Sequence, residues 1–212
     1  MSDLFTRIHN QRLTLVELLT GLGDEEWATP SLCKGWTVHE VVAHLTMPFE
    51  LGVPSLVLGL VKARGSFPLL ADRYARSRAD VPSSDLVALL HREASNHFTP
   101  PGFGPEAPLT DIVIHGYDIA IPTYRTFDVT DDTSHLVLEF LMTTKAERAF
   151  TRRGLVTGLR FESSDGEWSH GTGSLVRGPT RSLLLALTGR PTGFTALEGD
   201  GVPVLKDRVA AK

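Results

Sequence analysis

The sequence predicts an α+β protein that is mainly α-helical. Apolar residues recur at helical spacing through most of residues 1–150, and the alternation typical of strands begins only after Arg153. The chain has 212 residues, which is enough to bury a core as one large domain or as two small ones. We therefore predict a helical domain at residues 1–150 and a small α+β domain at residues 151–212.

The helices of the first domain are predicted from apolar periodicity and capping residues. A first helix is expected to end near Gly21, and a second is expected to begin after Thr37. Thr37 and Glu40 match a capping box, in which each side chain accepts a hydrogen bond from a free backbone amide of the first turn. The second helix carries His44 and is expected to end near Pro48. Further helices are expected at about 55–63, 84–98, 108–121 and 132–148.

The second domain is predicted to combine strands with a short helix. Residues 155–163 and 167–170 have strand character, and the turn signal Ser-Asp-Gly at 164–166 separates them. Residues 180–188 follow a proline and precede a glycine, which is the usual asymmetry of a helix. Residues 194–197 are expected to form a strand or a 3₁₀ turn.

Composition excludes several classes of function. The net charge of −4 and the pI of about 6.1 do not give the basic surface of a nucleic-acid-binding protein. The single cysteine, Cys33, excludes an internal disulfide and a cysteine-built zinc site. The N-terminus lacks the apolar core of a signal peptide, and the most apolar stretch, residues 41–61, is interrupted by polar residues and prolines. We expect a cytoplasmic protein without a membrane partner, either a monomer or a homodimer.

Three side chains form a predicted metal site. Asp111 and His115 are four residues apart, so on a helix they lie one turn apart on the same face. His44, on an earlier helix, is positioned to supply a third ligand. Three protein ligands with an open fourth position are typical of catalytic zinc. All three residues lie in apolar runs, where an unpaired polar group costs about 1–3 kcal/mol. The pattern indicates a metal enzyme, although such a pair is also found as a plain hydrogen-bonded pair.

Two nearby residues have alternative roles. Asp118 follows His115 by three residues and lies on the same helical stripe. It is predicted to orient His115 or to serve as a reserve ligand, since metal-bound histidines usually donate their other N–H to such an acceptor. A surface or capping aspartate is an equally open interpretation. Cys33 lies just before a helix and could be a nucleophile, but a small buried packing residue is the favoured interpretation.

Two motifs resemble a known family. Residues 27–45 read W-x-x-P-S-x-C-x-G-W-T-V-x-E-V-V-A-H-L, and residues 111–119 read D-x-x-x-H-G-Y-D-I. They resemble the mycothiol-dependent maleylpyruvate isomerase family, within the DinB-like metal-binding superfamily of four-helix bundles. The segments Trp-Ser-His-Gly at 168–171, Gly-Pro at 178–179 and the apolar run ending in Gly-Arg at 189–190 resemble its small C-terminal domain, which is similar to sterol-carrier folds.

The resemblance implies a site and an activity. It implies a divalent metal, usually zinc, held by His44, Asp111 and His115, although the family typically has Glu where this chain has Asp111. It also implies mycothiol or a similar thiol as cosubstrate, with S-transfer to a small electrophile or cis–trans isomerisation as the reaction. Arg190 is the first choice to bind a substrate carboxylate, ahead of Arg177 and Arg181. The alternative is a noncatalytic protein of the same fold that binds a metal or a small ligand. A regulator that binds a protein partner is a third possibility.

Overall fold

The computed structural model describes residues 2–211 and, within them, every side chain except those of Ser2 and Val53. Helices account for most of the described chain, and one small sheet accompanies them, as predicted. The helices are α1 (Ser2–Thr20), α2 (Asp24–Trp27), α3 (Val38–Glu50), α4 (Val53–Lys62), α5 (Phe67–Ser77), α6 (Ser83–Arg92), α7 (Glu106–Ala120), α8 (Asp131–Leu141), α9 (Thr180–Leu187) and α10 (Val202–Ala210). Short 3₁₀ turns occupy Ala146–Arg148 and Pro191–Ala196.

The sheet has three short strands, β1 (Leu159–Ser163), β2 (Ser169–Gly171) and β3 (Ser174–Gly178), in the order β2-β1-β3. The central strand β1 runs antiparallel to β2 and parallel to β3. In this register Phe161 is paired with His170 on one side and with Val176 on the other.

The chain divides into two compact units. The first contains the residues up to Phe98 together with His115–Asp128, and the second contains Thr99–Ile114 together with the residues from Val129 onward. The division falls within α7, which is one continuous helix. The domain boundary near residue 150 stays a prediction.

The first unit is built from helices that pack on one another. Helix α3 packs against α5 and α6, and α1 packs against α6. Arg12 of α1 is 4% exposed and donates hydrogen bonds to the carbonyls of Glu93, Ala94 and Asn96, which follow α6. A buried cation at this position satisfies acceptors beyond the C-terminal end of α6. Burial lowers the pKa of Arg12 to about 10, against the opposing effect of Glu93.

The second unit surrounds helix α9. This helix packs against β1, β3 and α8, and Leu183, Leu184 and Ala186 are fully buried. Its first turn is tied to the turn after β1, because Asp165 Oδ1 accepts hydrogen bonds from the Thr180 amide and hydroxyl, both at 2.8 Å. The Ser163 hydroxyl donates to the same oxygen at 2.7 Å. The turn predicted at residues 164–166 therefore also anchors a helix.

The observed boundaries differ in part from the predicted ones. Helix α3 continues through Pro48 to Glu50. The proline removes only one backbone hydrogen bond, and packing on α5 and α6 stabilises the helix despite that loss. Helix α8 ends at Leu141 rather than near residue 148, and the chain continues through a separate 3₁₀ turn. Residues 194–197 were predicted to form a strand or a 3₁₀ turn, and the structure has a 3₁₀ turn at Pro191–Ala196, so the second option is confirmed. Among the described residues, no helix combines the length and the apolar character that crossing a bilayer requires.

Candidate metal centre

The N-terminus of α3 sets the position of His44. The predicted capping box is confirmed: Thr37 Oγ1 accepts from the Glu40 amide at 3.4 Å, and Glu40 Oε2 accepts from the Thr37 amide at 2.7 Å. These bonds satisfy two amides that helical geometry leaves without partners. His44 lies two turns further on, is 7% exposed, and follows the fully buried Val41, Val42 and Ala43 in the sequence.

Helix α7 supplies the other predicted residues. His115 is 8% exposed and Asp118 is fully buried, and a hydrogen bond of 2.9 Å joins His115 Nδ1 to Asp118 Oδ2. Because a carboxylate accepts at Nδ1, the ring proton is placed on that nitrogen and Nε2 presents a lone pair. Asp111 is one turn before His115 on the same helix.

The three predicted ligands lie close together. One ligand atom each from His44, Asp111 and His115 can be chosen so that all three lie within 4.8 Å of one another. Ligand atoms of tetrahedral zinc are about 3.4 Å apart when the bonds are about 2.1 Å long. Small side-chain adjustments therefore bring the set to coordination distance. Two imidazoles and one carboxylate are also a donor set that zinc takes, so the residues fit a divalent ion.

A second group shares His115. Ligand atoms of Cys33, His115 and Asp118 also lie within 4.8 Å of one another. A metal in this group would draw on the carboxylate that already pairs with His115, whereas a metal in the first group does not use that carboxylate. The sequence did not predict the proximity of Cys33 to α7. It depends on a long-range contact, in which the Leu32 amide donates to the Asp118 carbonyl at 3.1 Å.

Trp36 lies beside both histidines. Its ring centroid is 5.2 Å from that of His44 and 6.3 Å from that of His115, and the two imidazole centroids are 5.1 Å apart. The indole Nε1 donates to Asp72 Oδ1 on α5 at 2.9 Å. The indole is therefore an apolar packing neighbour of both imidazole rings. From the sequence alone, core packing and substrate stacking are equally open roles for Trp36, and Asp72 carries no recognisable signal.

The arginines predicted to bind a substrate carboxylate all lie in the second unit. Arg190 is half-buried and its guanidinium donates to the Thr188 carbonyl at 2.7 Å. Arg177 pairs with Glu198 at 2.6 Å, and Arg181 is exposed. The role of each toward a substrate stays a prediction.

These features define a mainly helical α+β protein with a histidine–carboxylate cluster carried by two helices. Residues 9–97 match the sequence model of the mycothiol maleylpyruvate isomerase N-terminal domain, a segment that includes His44. The predicted resemblance to the mycothiol-dependent maleylpyruvate isomerase family is thereby confirmed.

Two solved structures share the fold. A crystal structure of a histidine-to-alanine mutant of the mycothiol-dependent maleylpyruvate isomerase superposes with a TM-score of 0.59 at 14% identity, covering 94% of this chain and 92% of that chain. A second crystal structure of the mycothiol-dependent maleylpyruvate isomerase gives a TM-score of 0.52 at 15% identity with the same coverage. At these identities the match shows the fold, and it confirms the predicted α+β, mainly α class. No curated protein sequence matches this chain. The likeness of residues 151–212 to sterol-carrier folds stays a prediction.

Proposed function

We propose that this protein is a divalent-metal-dependent enzyme that uses a low-molecular-weight thiol, mycothiol or a close analogue, to isomerise or conjugate a small electrophile. The observation that carries the proposal is the gathering of His44, Asp111 and His115 within 4.8 Å, with His115 oriented by Asp118. The family match of residues 9–97 and the fold shared with mycothiol-dependent maleylpyruvate isomerase support the choice of thiol.

The protein residues would hold the metal and keep its surroundings ordered. His44, Asp111 and His115 would supply the ligands, and zinc suits this donor set. Asp118 keeps the proton of His115 on Nδ1, which leaves Nε2 for coordination. A divalent ion at this position supplies positive charge that lowers the pKa of a nearby thiol, so that thiolate is present at neutral pH.

The reaction needs a nucleophile that enters with each turnover. Cys33 is the single cysteine of the chain and lies half-buried in a loop, so we assign the nucleophile to a thiol from solution. For isomerisation, the thiolate adds to a carbon–carbon double bond conjugated to a carbonyl, the resulting single bond rotates, and expulsion of the same thiolate restores the double bond. For conjugation, the thiolate displaces a leaving group such as chloride, and the S-conjugate is released.

The metal assignment is tested by elemental analysis of protein purified without a histidine tag or chelator. The parent is expected to retain about one equivalent of divalent metal, and His44→Ala or His115→Ala is expected to lose it. His39→Ala is the matched control, because His39 also lies on α3 but its Nε2 is 2.8 Å from the Val81 carbonyl. Retention of a full equivalent by His44→Ala would show that the assigned ligands are wrong.

The thiol requirement is tested by turnover. A cis-enedione acid and a chlorinated aromatic are each mixed with mycothiol, bacillithiol or glutathione, with metal-loaded or chelator-stripped protein. Turnover that needs both the metal and one added thiol supports the proposal. Turnover without added thiol that disappears in Cys33→Ser contradicts it. Failure of every pair, with the metal still bound, favours the noncatalytic alternative.

A further inference from the structure

The loop that carries Trp36 is anchored to α5 by two side chains. Asp72 Oδ1 accepts the indole N–H at 2.9 Å and also accepts from Arg76 Nε at 3.0 Å. Arg76 in turn donates to the Gly35 carbonyl at 3.1 Å and to Glu40 Oε1 at 3.1 Å. Helix α5 therefore holds three features of this region: the Gly35 carbonyl, the Trp36 indole and the Glu40 carboxylate of the α3 capping box.

The indole held in this way is the aromatic neighbour that His44 and His115 share. Its ring centroid lies within 6.3 Å of both imidazole centroids. A side chain binds a metal well only when packing holds it within about 0.5 Å and 10–20° of the coordinating geometry. A partly buried indole N–H also needs an acceptor, which selects one rotamer of the tryptophan. The position of the Asp72 carboxylate therefore determines where the packing surface of the two histidines lies.

We infer that Asp72 is a positioning residue, which holds the Trp36 indole against His44 and His115 and so keeps both imidazoles oriented for metal binding. Its metal-binding part rests on the proposed function. The inferred effect of Asp72 on the two imidazoles passes through the Trp36 indole, whereas its contact with Arg76 supports the loop and the start of α3. Asp72→Ala removes the acceptor, whereas Asp72→Asn keeps an acceptor oxygen and removes only the charge that pairs with Arg76.

The positioning itself is tested in metal-free protein by NMR. The three indole N–H resonances are assigned with the help of Trp36→Phe, and the imidazole C–H shifts of His44 and His115 report the ring current of the neighbouring indole. Asp72→Ala is expected to move the Trp36 indole signal and both sets of imidazole shifts, and Asp72→Asn is expected to preserve them. Imidazole shifts that stay at parental values in Asp72→Ala would overturn the inference.

The consequence for the metal is tested by a double-mutant cycle. Zinc affinity is measured by competition with a chromophoric chelator for the parent, Asp72→Ala, Trp36→Phe and the double variant, with thermal melts to confirm folding. Asp72→Ala is expected to weaken zinc about tenfold, in the range of residues that orient ligands. In the Trp36→Phe background the same change is expected to have less than a twofold effect, and Asp72→Asn is expected to stay within threefold of the parent.

The two hypotheses fail in different ways. If Asp72→Ala and Trp36→Phe weaken zinc independently, so that their effects multiply, Asp72 does not act through the indole and the inference is wrong. If the parent itself binds no metal, the proposed function fails, while the metal-free NMR measurement still decides whether Asp72 positions Trp36. If the parent binds zinc and Asp72→Ala matches it in both measurements, the inference alone is wrong.

Discussion

Two polar clusters, one around Asp165 and one around His115, differ in the kind of atoms they bring together. In the second unit, one carboxylate oxygen of Asp165 receives hydrogen bonds from the Thr180 amide, the Thr180 hydroxyl and the Ser163 hydroxyl. In this cluster three hydrogen-bond donors surround one carboxylate acceptor. By contrast, the ligand atoms of His44, Asp111 and His115 that lie within 4.8 Å of one another are imidazole nitrogens and a carboxylate oxygen, which can offer electron pairs to a cation.

The difference separates a cluster that stabilises the chain from one that suits a ligand. A carboxylate that accepts several hydrogen bonds is satisfied by the protein itself. A group of electron-pair donors is stabilised together by a cation. Changes in the first cluster should therefore affect the free energy of unfolding under all conditions, and changes in the second should affect it mainly through metal.

The largest expected effect is the stabilisation of the parent by zinc. A ligand that binds only the folded state at 100 times its Kd adds about 2.7 kcal/mol to the free energy of unfolding. Thermal and urea unfolding with zinc or with a chelator should show this increment in the parent and in Asp165→Ala. His44→Ala should not show it. If zinc raises the free energy of unfolding of His44→Ala as much as that of the parent, the cluster around His115 does not owe its stability to a metal held by His44.

The next effect is the loss of the Asp165 hydrogen bonds. Asp165→Ala removes the acceptor of the Thr180 amide at the start of α9, and loss of a side-chain acceptor for a helix-terminal amide costs about 1–2 kcal/mol. Urea unfolding in the presence of chelator measures the change. Asp80→Ala, an exposed aspartate in a turn, is the matched control and should stay within about 0.5 kcal/mol of the parent. Equal effects of the two substitutions would show that the Asp165 cluster does not stabilise the unit.

A smaller effect is the pH dependence of the same cluster. Burial tends to raise the pKa of Asp165, but the hydrogen bonds from Thr180 and Ser163 outweigh it and the pKa is lowered. A carboxylate with a lowered folded-state pKa stabilises the protein above its unfolded-state pKa of about 3.9, and this contribution is lost as the pH falls through the folded-state pKa. The difference in free energy of unfolding between the parent and Asp165→Asn should thus be largest above about pH 5 and shrink in acid. A difference that stays constant from neutral pH into acid would contradict this assignment.

The smallest expected effect is that of Cys33→Ser, which, compared with Asp111→Ala, distinguishes the two possible ligand groups at His115. If His44, Asp111 and His115 bind the metal, Cys33→Ser should change zinc affinity less than about threefold, whereas Asp111→Ala should weaken it by at least about tenfold. Chelator competition measures both. If Cys33→Ser weakens zinc binding and Asp111→Ala does not, the metal ligands are instead Cys33, His115 and Asp118.

The sequence predicted the local parts of the site and missed the long-range ones. The capping box at Thr37 and the one-turn spacing of Asp111 and His115 depend on residues three or four apart, where helical geometry is sufficient. The approach of Cys33 to Asp118 and of Trp36 to Asp72 joins residues far apart in the chain, and their tertiary packing leaves no periodic signal.

The same limit applies to the fold. Strand β3 was missed, because it is five residues long and its identity depends on parallel pairing with β1. Helix α5 was also missed, although its buried Leu70, Ala71, Tyr74 and Ala75 lie on one face. Strand β3 is recognised only when its partner β1 is known, whereas α5 carries a helical periodicity over a short segment.

Gly116, next to His115 on α7, restricts how this part of the chain can change over evolution. A Cβ at this position would lie 2.1 Å from the Phe127 ring, so the aromatic ring occupies the volume that any other side chain would need. Glycine inside a helix costs about 1 kcal/mol relative to alanine, yet replacement by alanine would force either Phe127 or the backbone beside His115 to move. A side chain at 116 is therefore expected to be tolerated best when a smaller residue already stands at 127.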